Sequence, residues 1–111
     1  MMSHHGDAKR VAARVQIDNF MAALAQYRLD TNQYPTTDRG LLSLVRKPDN
    51  LDAWSGPYLK YPLPTDPWGH AYIYRYPGEH DDLPDVVSYG EDGKPGGEGK
   101  AADIVSCKYG I

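Results

Sequence analysis

The chain has 111 residues, 41% hydrophobic and 24% charged, which suits one globular domain with a modest core. Its formal net charge is −3 and it has no block of basic residues, so the composition argues against a nucleic-acid partner. The single cysteine, Cys107, excludes an internal disulfide, and it is more typical of a small buried side chain than of a nucleophile. No apolar run in the sequence is long enough to cross a membrane.

The first seven residues, MMSHHGD, look like an expression tag. They lack the apolar centre of a signal peptide, and a tag accounts for His4 and His5 better than a zinc site does. We therefore expect residues 1–7 to be tag and residues 8–111 to form a single domain.

The longest helical pattern covers residues 8–33. Five apolar residues recur at spacings of three and four and therefore share one face: Ala13, Ile17, Phe20, Leu24 and Tyr27. Asp7 is a candidate N-cap, and the helix is expected to end near Thr31 and Asn32, ahead of Pro35. This pattern predicts a long helix with one face in the core.

A short second helix is predicted next, capped by Thr36 or Thr37. Its buried side would carry Leu41, Leu44 and Val45. Residues 49–68 contain prolines that exclude long strands, while aromatic residues such as Trp54 and Trp68 favour an ordered, anchored loop over a linker.

Three strands are predicted in the second half of the chain. In residues 71–76, AYIYRY, the alternation places Tyr72, Tyr74 and Tyr76 on one face. Residues 85–90, DVVSYG, should pair with this strand antiparallel, and a last short strand is expected at residues 104–108. The predicted fold is α+β, with one long helix laid across a small antiparallel sheet.

Residues 90–104, GEDGKPGGEGKAADI, combine many glycines with four carboxylates, those of Glu91, Asp92, Glu98 and Asp103. Calcium takes oxygen ligands from carboxylates and backbone carbonyls, and glycines let the backbone curl so that carbonyls converge. The spacing is not that of an EF-hand, and composition alone favours a solvated loop.

A polar cluster at residues 79–82 admits a different reading. Glu79, His80, Asp81 and Asp82 could suggest acid–base chemistry, although adjacent polar residues between two strands are typical of a solvated hairpin loop. A small periplasmic hydrolase or carbohydrate-binding module would use Glu79, Asp82 or the tyrosine row, and it requires a pocket with converging carboxylates.

Four blocks resemble a known family: YRLDTNQYPTTDRGLLSLV (27–45), GPYLKYPLPTDPWGHAYIY (56–74), YPGEH (76–80) and DVVSYGEDGKPGGEGKAADI (85–104). In this order they resemble the major pseudopilins of bacterial type II secretion systems, in the type IV pilin superfamily. The resemblance covers residues from about 8 to 104. Type IV pilins and minor pseudopilins, which serve adhesion or fibre initiation, are the related alternatives.

The resemblance implies a hydrophobic helix upstream of Ala8, preceded by a leader that a prepilin peptidase removes. That helix would be the one contact with the inner membrane, with this domain in the periplasm. It further implies a non-catalytic subunit that self-associates into a helical fibre, the pseudopilus, with minor pseudopilins and an inner-membrane assembly platform. The fibre would export folded proteins through an outer-membrane secretin.

The resemblance also implies a structural calcium ion in the ordered C-terminal loop. Carried over by position, the ligands would be the side chains of Asp92 and Asp103 and the backbone carbonyls of Tyr89, Lys94 and Gly97. The role of Glu98 stays open.

Overall fold

The computed structural model describes residues 4–60, 62–79, 82–97 and 103–106. Helix α1 spans His4–Thr31, and a 3-10 helix spans Gly40–Leu44. The strands are β1 (Ile73–Arg75), β2 (Asp85–Ser88) and β3 (Ile104–Val105). They form an antiparallel sheet in the order β1-β2-β3, so the predicted α+β architecture of a long helix on a small sheet is confirmed.

Helix α1 presents its predicted stripe to the core. Ala13, Ile17, Phe20, Leu24 and Tyr27 are all at most 1% exposed, as a shared helix face requires. The helix ends where Asn32 adopts a left-handed conformation, with φ of 65°, and donates its N–H to the Arg28 carbonyl at 2.7 Å. The predicted end is confirmed, but the helix already begins at His4. Asp7 therefore lies inside it, and the prediction of an Asp7 N-cap is wrong.

The second helix is a short 3-10 turn, and the predicted Leu41, Leu44 and Val45 are buried, Val45 as the residue that follows it; Ser43 is buried as well. The Thr36 hydroxyl accepts the Arg39 N–H at 3.2 Å, one turn ahead of the helix. Arg39 itself occupies the N-cap position without a side-chain cap bond, so the predicted threonine cap supports the preceding turn instead.

Two members of the predicted tyrosine row, Tyr72 and Tyr74, belong to the core, while Tyr76 is partly buried against it. Tyr72 and Tyr74 are each 8% exposed, and the Tyr72 ring meets Phe20 of α1 edge-on at 5.1 Å between centroids. The Tyr74 hydroxyl donates to the Pro35 carbonyl at 2.8 Å. Burial raises the pKa of both tyrosines above the ordinary value. These two rings are therefore not available as a sugar-stacking platform.

The proline-rich segment is an ordered loop anchored by aromatic residues, as predicted. The Trp54 indole donates to the Ser43 carbonyl at 2.7 Å. The Tyr58 hydroxyl donates to the Asp30 carboxylate at 2.7 Å, and its ring packs on Tyr27. These bonds hold the loop against α1 and the 3-10 helix. In the part of the chain that the structure describes, no helix combines the length and hydropathy needed to span a bilayer.

Candidate metal centre

The sheet brings the two ends of the glycine-rich loop together. Ser88, the last residue of β2, pairs with Ile104, the first residue of β3. The next residues outward are Tyr89 and Asp103, so these two predicted ligand positions flank the mouth of the loop at one edge of the sheet. Sequence separation alone does not indicate this proximity; the antiparallel register produces it.

Asp103 supplies a carboxylate oxygen with no protein partner. Its Oδ2 atom accepts the Gly96 N–H at 3.1 Å, which ties the middle of the loop to its end. Its Oδ1 atom is buried and makes no hydrogen bond in the structure. A buried acceptor without a partner is unfavourable, and a carboxylate more so, unless a cation compensates it. This oxygen is therefore free to coordinate a cation such as calcium.

Asp92 occupies an exposed turn at the other side of the loop. Its Oδ1 accepts the Lys94 N–H at 3.1 Å, while the Gly93 N–H donates to the Gly90 carbonyl at 3.2 Å. The turn leaves the Lys94 and Gly97 backbone at the exposed surface. Glu98 lies outside the described residues.

The donors available favour a hard cation held mainly by oxygen. Among the described residues, no group of three or more His, Cys, Asp or Glu side chains could hold a metal. Of the predicted ligands, the described residues offer such a metal the carboxylates of Asp92 and Asp103, supplemented by backbone carbonyls. That donor set, oxygen throughout, fits calcium and not a thiolate- or imidazole-dependent metal.

The turn at residues 66–70 is hydrogen-bonded to the start of the glycine-rich loop, and the sequence patterns did not indicate this connection. Asp66, 2% exposed, accepts the N–H groups of Trp68 and His70 through Oδ1, at 3.0 and 2.9 Å. Its Oδ2 accepts the Ser88 hydroxyl at 2.7 Å, and that hydroxyl accepts the Gly90 N–H at 3.2 Å. Pro67 and Gly69 indicate a turn here, but burial of Asp66 depends on the tertiary fold.

Two members of the polar cluster, Glu79 and Asp82, are described by the structure and lie between β1 and β2. Glu79 and Asp82 are exposed, and Glu79 pairs with Arg75 at 3.5 Å. Asp85, fully buried, accepts the Glu79 N–H at 3.0 Å and anchors the loop from β2. His80 and Asp81 lie outside the described residues. Glu79 therefore has a structural partner, which favours the solvated-loop interpretation over acid–base chemistry.

A long helix across a small antiparallel sheet, closed by a loop between its last two strands, is the architecture of a pilin-like subunit. The chain can be superposed on the crystal structure of the major pseudopilin from the type 2 secretion system of enterohaemorrhagic Escherichia coli with a TM-score of 0.76. The two share 35% identity, and the match covers 96% of this chain and 88% of that one.

Sequence comparison gives the same family. The model of type II secretion system protein G matches residues 1–107. The type II secretion system core protein G of Vibrio cholerae is 46% identical over 99 residues, 86% of this chain and 64% of that protein. The corresponding protein of Pseudomonas aeruginosa is 43% identical over 108 residues, 94% of this chain and 75% of that protein. The chain belongs to the type II secretion system protein G family, as the resemblance predicted.

The chain spans less than two thirds of the Vibrio cholerae relative. These relatives are named as core proteins of the secretion system, and the superposable crystal structure is that of a major pseudopilin.

Proposed function

We propose that this chain is the periplasmic part of a structural, non-catalytic subunit of a type II secretion pseudopilus. The observation that carries the proposal is the coincidence of family and fold: core protein G relatives at 46% and 43% identity, and a pseudopilin structure superposable over 96% of the chain. The burial of Tyr72 and Tyr74 and the ion pair of Glu79 favour a packed building block over a hydrolase or sugar-binding module.

In this proposal the full-length protein is anchored in the inner membrane by a hydrophobic helix upstream of this domain. A prepilin peptidase processes its leader, and copies self-associate into a helical periplasmic fibre with minor pseudopilins on an inner-membrane assembly platform. The fibre drives folded proteins through the outer-membrane secretin.

Complementation tests this function. The full-length gene is expressed in a bacterium whose own protein G gene is deleted, and export of a type II substrate and fibre formation are measured. Restored export supports the proposal. A processed protein at wild-type level that restores neither fibres nor export contradicts it.

We also propose that the loop holds a structural calcium ion. The ligands would be the carboxylates of Asp92 and Asp103 and the carbonyls of Tyr89, Lys94 and Gly97. The support is the orphaned, buried Oδ1 of Asp103 beside the mouth of an oxygen-rich loop. When bound, calcium supplies a compact positive charge that offsets carboxylate repulsion and cross-links the loop to the sheet edge.

The protein's own residues do the rest. The Gly96 N–H donates to Asp103 Oδ2 and the Lys94 N–H donates to Asp92 Oδ1, so backbone N–H groups orient both carboxylates without a metal. An ion that binds the folded form and not the unfolded form adds about 2.7 kcal/mol at a hundred times its Kd. For a domain of this size that corresponds to a rise in Tm of roughly 10 °C or more.

Thermal unfolding with calcium, with magnesium and with chelator tests the metal site. Asp92→Ala and Asp103→Ala should lose the calcium-dependent rise in Tm. Asp18→Ala, which removes an exposed carboxylate from α1, is the matched control and should keep it. Equal midpoints in calcium and chelator for the wild type, or a full response in both loop variants, would contradict the site.

A further inference from the structure

The turn at residues 66–70 touches the glycine-rich loop at two separate points. One point is the hydrogen-bonded chain from the Asp66 carboxylate through the Ser88 hydroxyl to the Gly90 N–H. The other is His70, whose ring lies over the backbone of Gly93, where an added Cβ would come within 2.8 Å of ring atoms. The turn and the loop are far apart in sequence, so these contacts are made by the fold.

Asp66 is built to hold its position. Besides the two N–H groups that it accepts, its own N–H donates to the His70 carbonyl at 2.7 Å, and its carbonyl accepts the Gly69 N–H at 2.9 Å. A carboxylate that accepts several hydrogen bonds in a site this buried has little freedom to move. Its Oδ2 therefore fixes the orientation of the Ser88 hydroxyl.

Ser88 links the Asp66 carboxylate to the loop through two hydrogen bonds. Its side chain is fully buried, and its hydroxyl donates to Asp66 and accepts from Gly90 at the same time. Gly90 is where the chain leaves the sheet, one residue after the Tyr89 carbonyl and two before Asp92. The Gly90 N–H and the Tyr89 carbonyl belong to one planar peptide, so the bond to Ser88 fixes the direction of that carbonyl and sets where the turn to Asp92 begins.

We propose that Asp66 and Ser88 are positioning residues for the metal loop, holding the Tyr89–Gly90 peptide and the following turn in the geometry that calcium needs. His70 adds a second contact, because its ring packs against the backbone of Gly93. This inference rests on the proposed calcium site. Part of the calcium affinity would then come from the Asp-Pro-Trp-Gly turn at residues 66–69, which is separate from the loop in sequence.

The physical reason is preorganisation. A glycine-rich loop has many conformations, and a ligand set that is already in place spares the ion the entropy of ordering it. Groups behind the ligands of a metal typically account for roughly 10- to 100-fold in affinity. Loss of the Ser88 hydroxyl should therefore raise the Kd for calcium, and it should separately lower the stability of the metal-free protein, because the buried Asp66 Oδ2 loses its donor.

The experiment measures the calcium Kd by titration calorimetry, and the metal-free Tm in chelator, for each variant. Ser88→Ala removes the hydroxyl. Asp66→Asn keeps the acceptor for the Trp68 and His70 N–H groups but replaces the oxygen that accepts from Ser88. Both should raise the Kd by about 10-fold or more. Ser88→Thr, which keeps the hydroxyl, should stay within about threefold of the wild type.

Two controls isolate the effect. Thr37→Ala removes a hydroxyl that accepts the Tyr76 N–H at 3.0 Å, just beyond β1 on the far edge of the sheet. Asp18→Asn removes one negative charge from the exposed face of α1. Neither should change the Kd by more than about twofold, whatever happens to the metal-free Tm.

The outcomes separate the two proposals. Wild-type protein that gives no calcium heat overturns the calcium site and this inference together. Wild type that binds while Ser88→Ala binds equally well overturns the positioning role alone. A lower metal-free Tm with an unchanged Kd does the same, because it confines Ser88 to a role in the sheet. A raised Kd that Ser88→Thr restores supports the proposal.

Discussion

The core and the C-terminal loop are stabilised by different physics. In the core, α1 and the sheet bury apolar and aromatic side chains, and the residues of the helix stripe are at most 1% exposed. In the loop, most described side chains are exposed, and order comes from backbone hydrogen bonds to Asp92, Asp103 and Ser88. The core should therefore resist chelation, while the loop should depend on the metal.

The largest effect should come from removing a ring at the centre of the core. Phe20→Ala deletes a side chain that is 1% exposed and packs edge-on against Tyr72. We expect the free energy of unfolding to fall by about 3–5 kcal/mol, measured by urea denaturation. The exposed Val15→Ala on the same helix should change it by less than about 0.5 kcal/mol.

Phe20→Ala also tests whether the core and the loop contribute independently to the free energy of unfolding. If the variant stays folded, calcium should add the same increment of unfolding free energy as in the wild type, since distant sites are additive. A lost calcium increment in Phe20→Ala would show that the core, and not the loop alone, sets the metal affinity.

The second largest effect should be a loss of unfolding free energy at alkaline pH. Burial raises the pKa of Tyr72 and Tyr74, so both stay protonated in the folded state while the unfolded tyrosines titrate near pH 10. The stability is therefore fully present below about pH 10 and is lost as the pH rises above it. Each tyrosine should contribute a loss of up to about 1.4 kcal/mol per pH unit.

Tyr74→Phe is the matched variant for the pH dependence. At pH 7 it should cost about 1 kcal/mol, through the lost hydrogen bond to the Pro35 carbonyl. Above pH 10 the slope of stability against pH should fall, because one titrating group is gone. Urea denaturation at pH 9, 10 and 11 measures both; an unchanged slope would contradict the assignment to Tyr74.

How far the sequence carries the prediction differs between the two regions for a physical reason. Helical periodicity identifies the buried face of α1, because Ile17 and Leu24 are positioned by the helix itself. The alternation of Tyr72 and Tyr74 likewise identifies one face of β1, though not which side of the sheet the helix covers. These predictions succeed because the local backbone geometry alone places such residues on one face, and that face packs in the core.

The loop is less predictable because its contacts are made across the chain. The resemblance implied Asp92 and Asp103 as candidate ligands, but the pairing of Ser88 with Ile104 is what brings the loop ends together. Asp66 shows the limit most clearly. Its sequence context indicates a turn, while its burial and its bond to Ser88 depend on the whole sheet being in place.

The smallest effect should be the difference between two alanine substitutions in the loop, at Gly93 and at Gly96. This difference tests the contact between the loop and the turn at residues 66–70. Gly93 and Gly96 both have positive φ, 67° and 86°, so alanine at either adds left-handed strain of about 1–2 kcal/mol, part of which an exposed loop can relax. An added Cβ meets nothing within 4 Å at Gly96, but at Gly93 it meets the His70 ring at 2.8 Å.

Gly93→Ala should therefore lower the metal-free unfolding free energy more than Gly96→Ala does. The excess should be modest, about 0.5–1 kcal/mol, because the exposed His70 side chain can turn aside at the cost of its contact. His70→Ala in the Gly93→Ala background should remove this excess, and in the Gly96→Ala background it should have no coupled effect. Urea denaturation of the single and double variants gives both coupling energies. Equal losses at the two glycines, in both backgrounds, would mean that the His70–Gly93 contact adds nothing to stability, and that the turn acts on the loop through Asp66 and Ser88 alone.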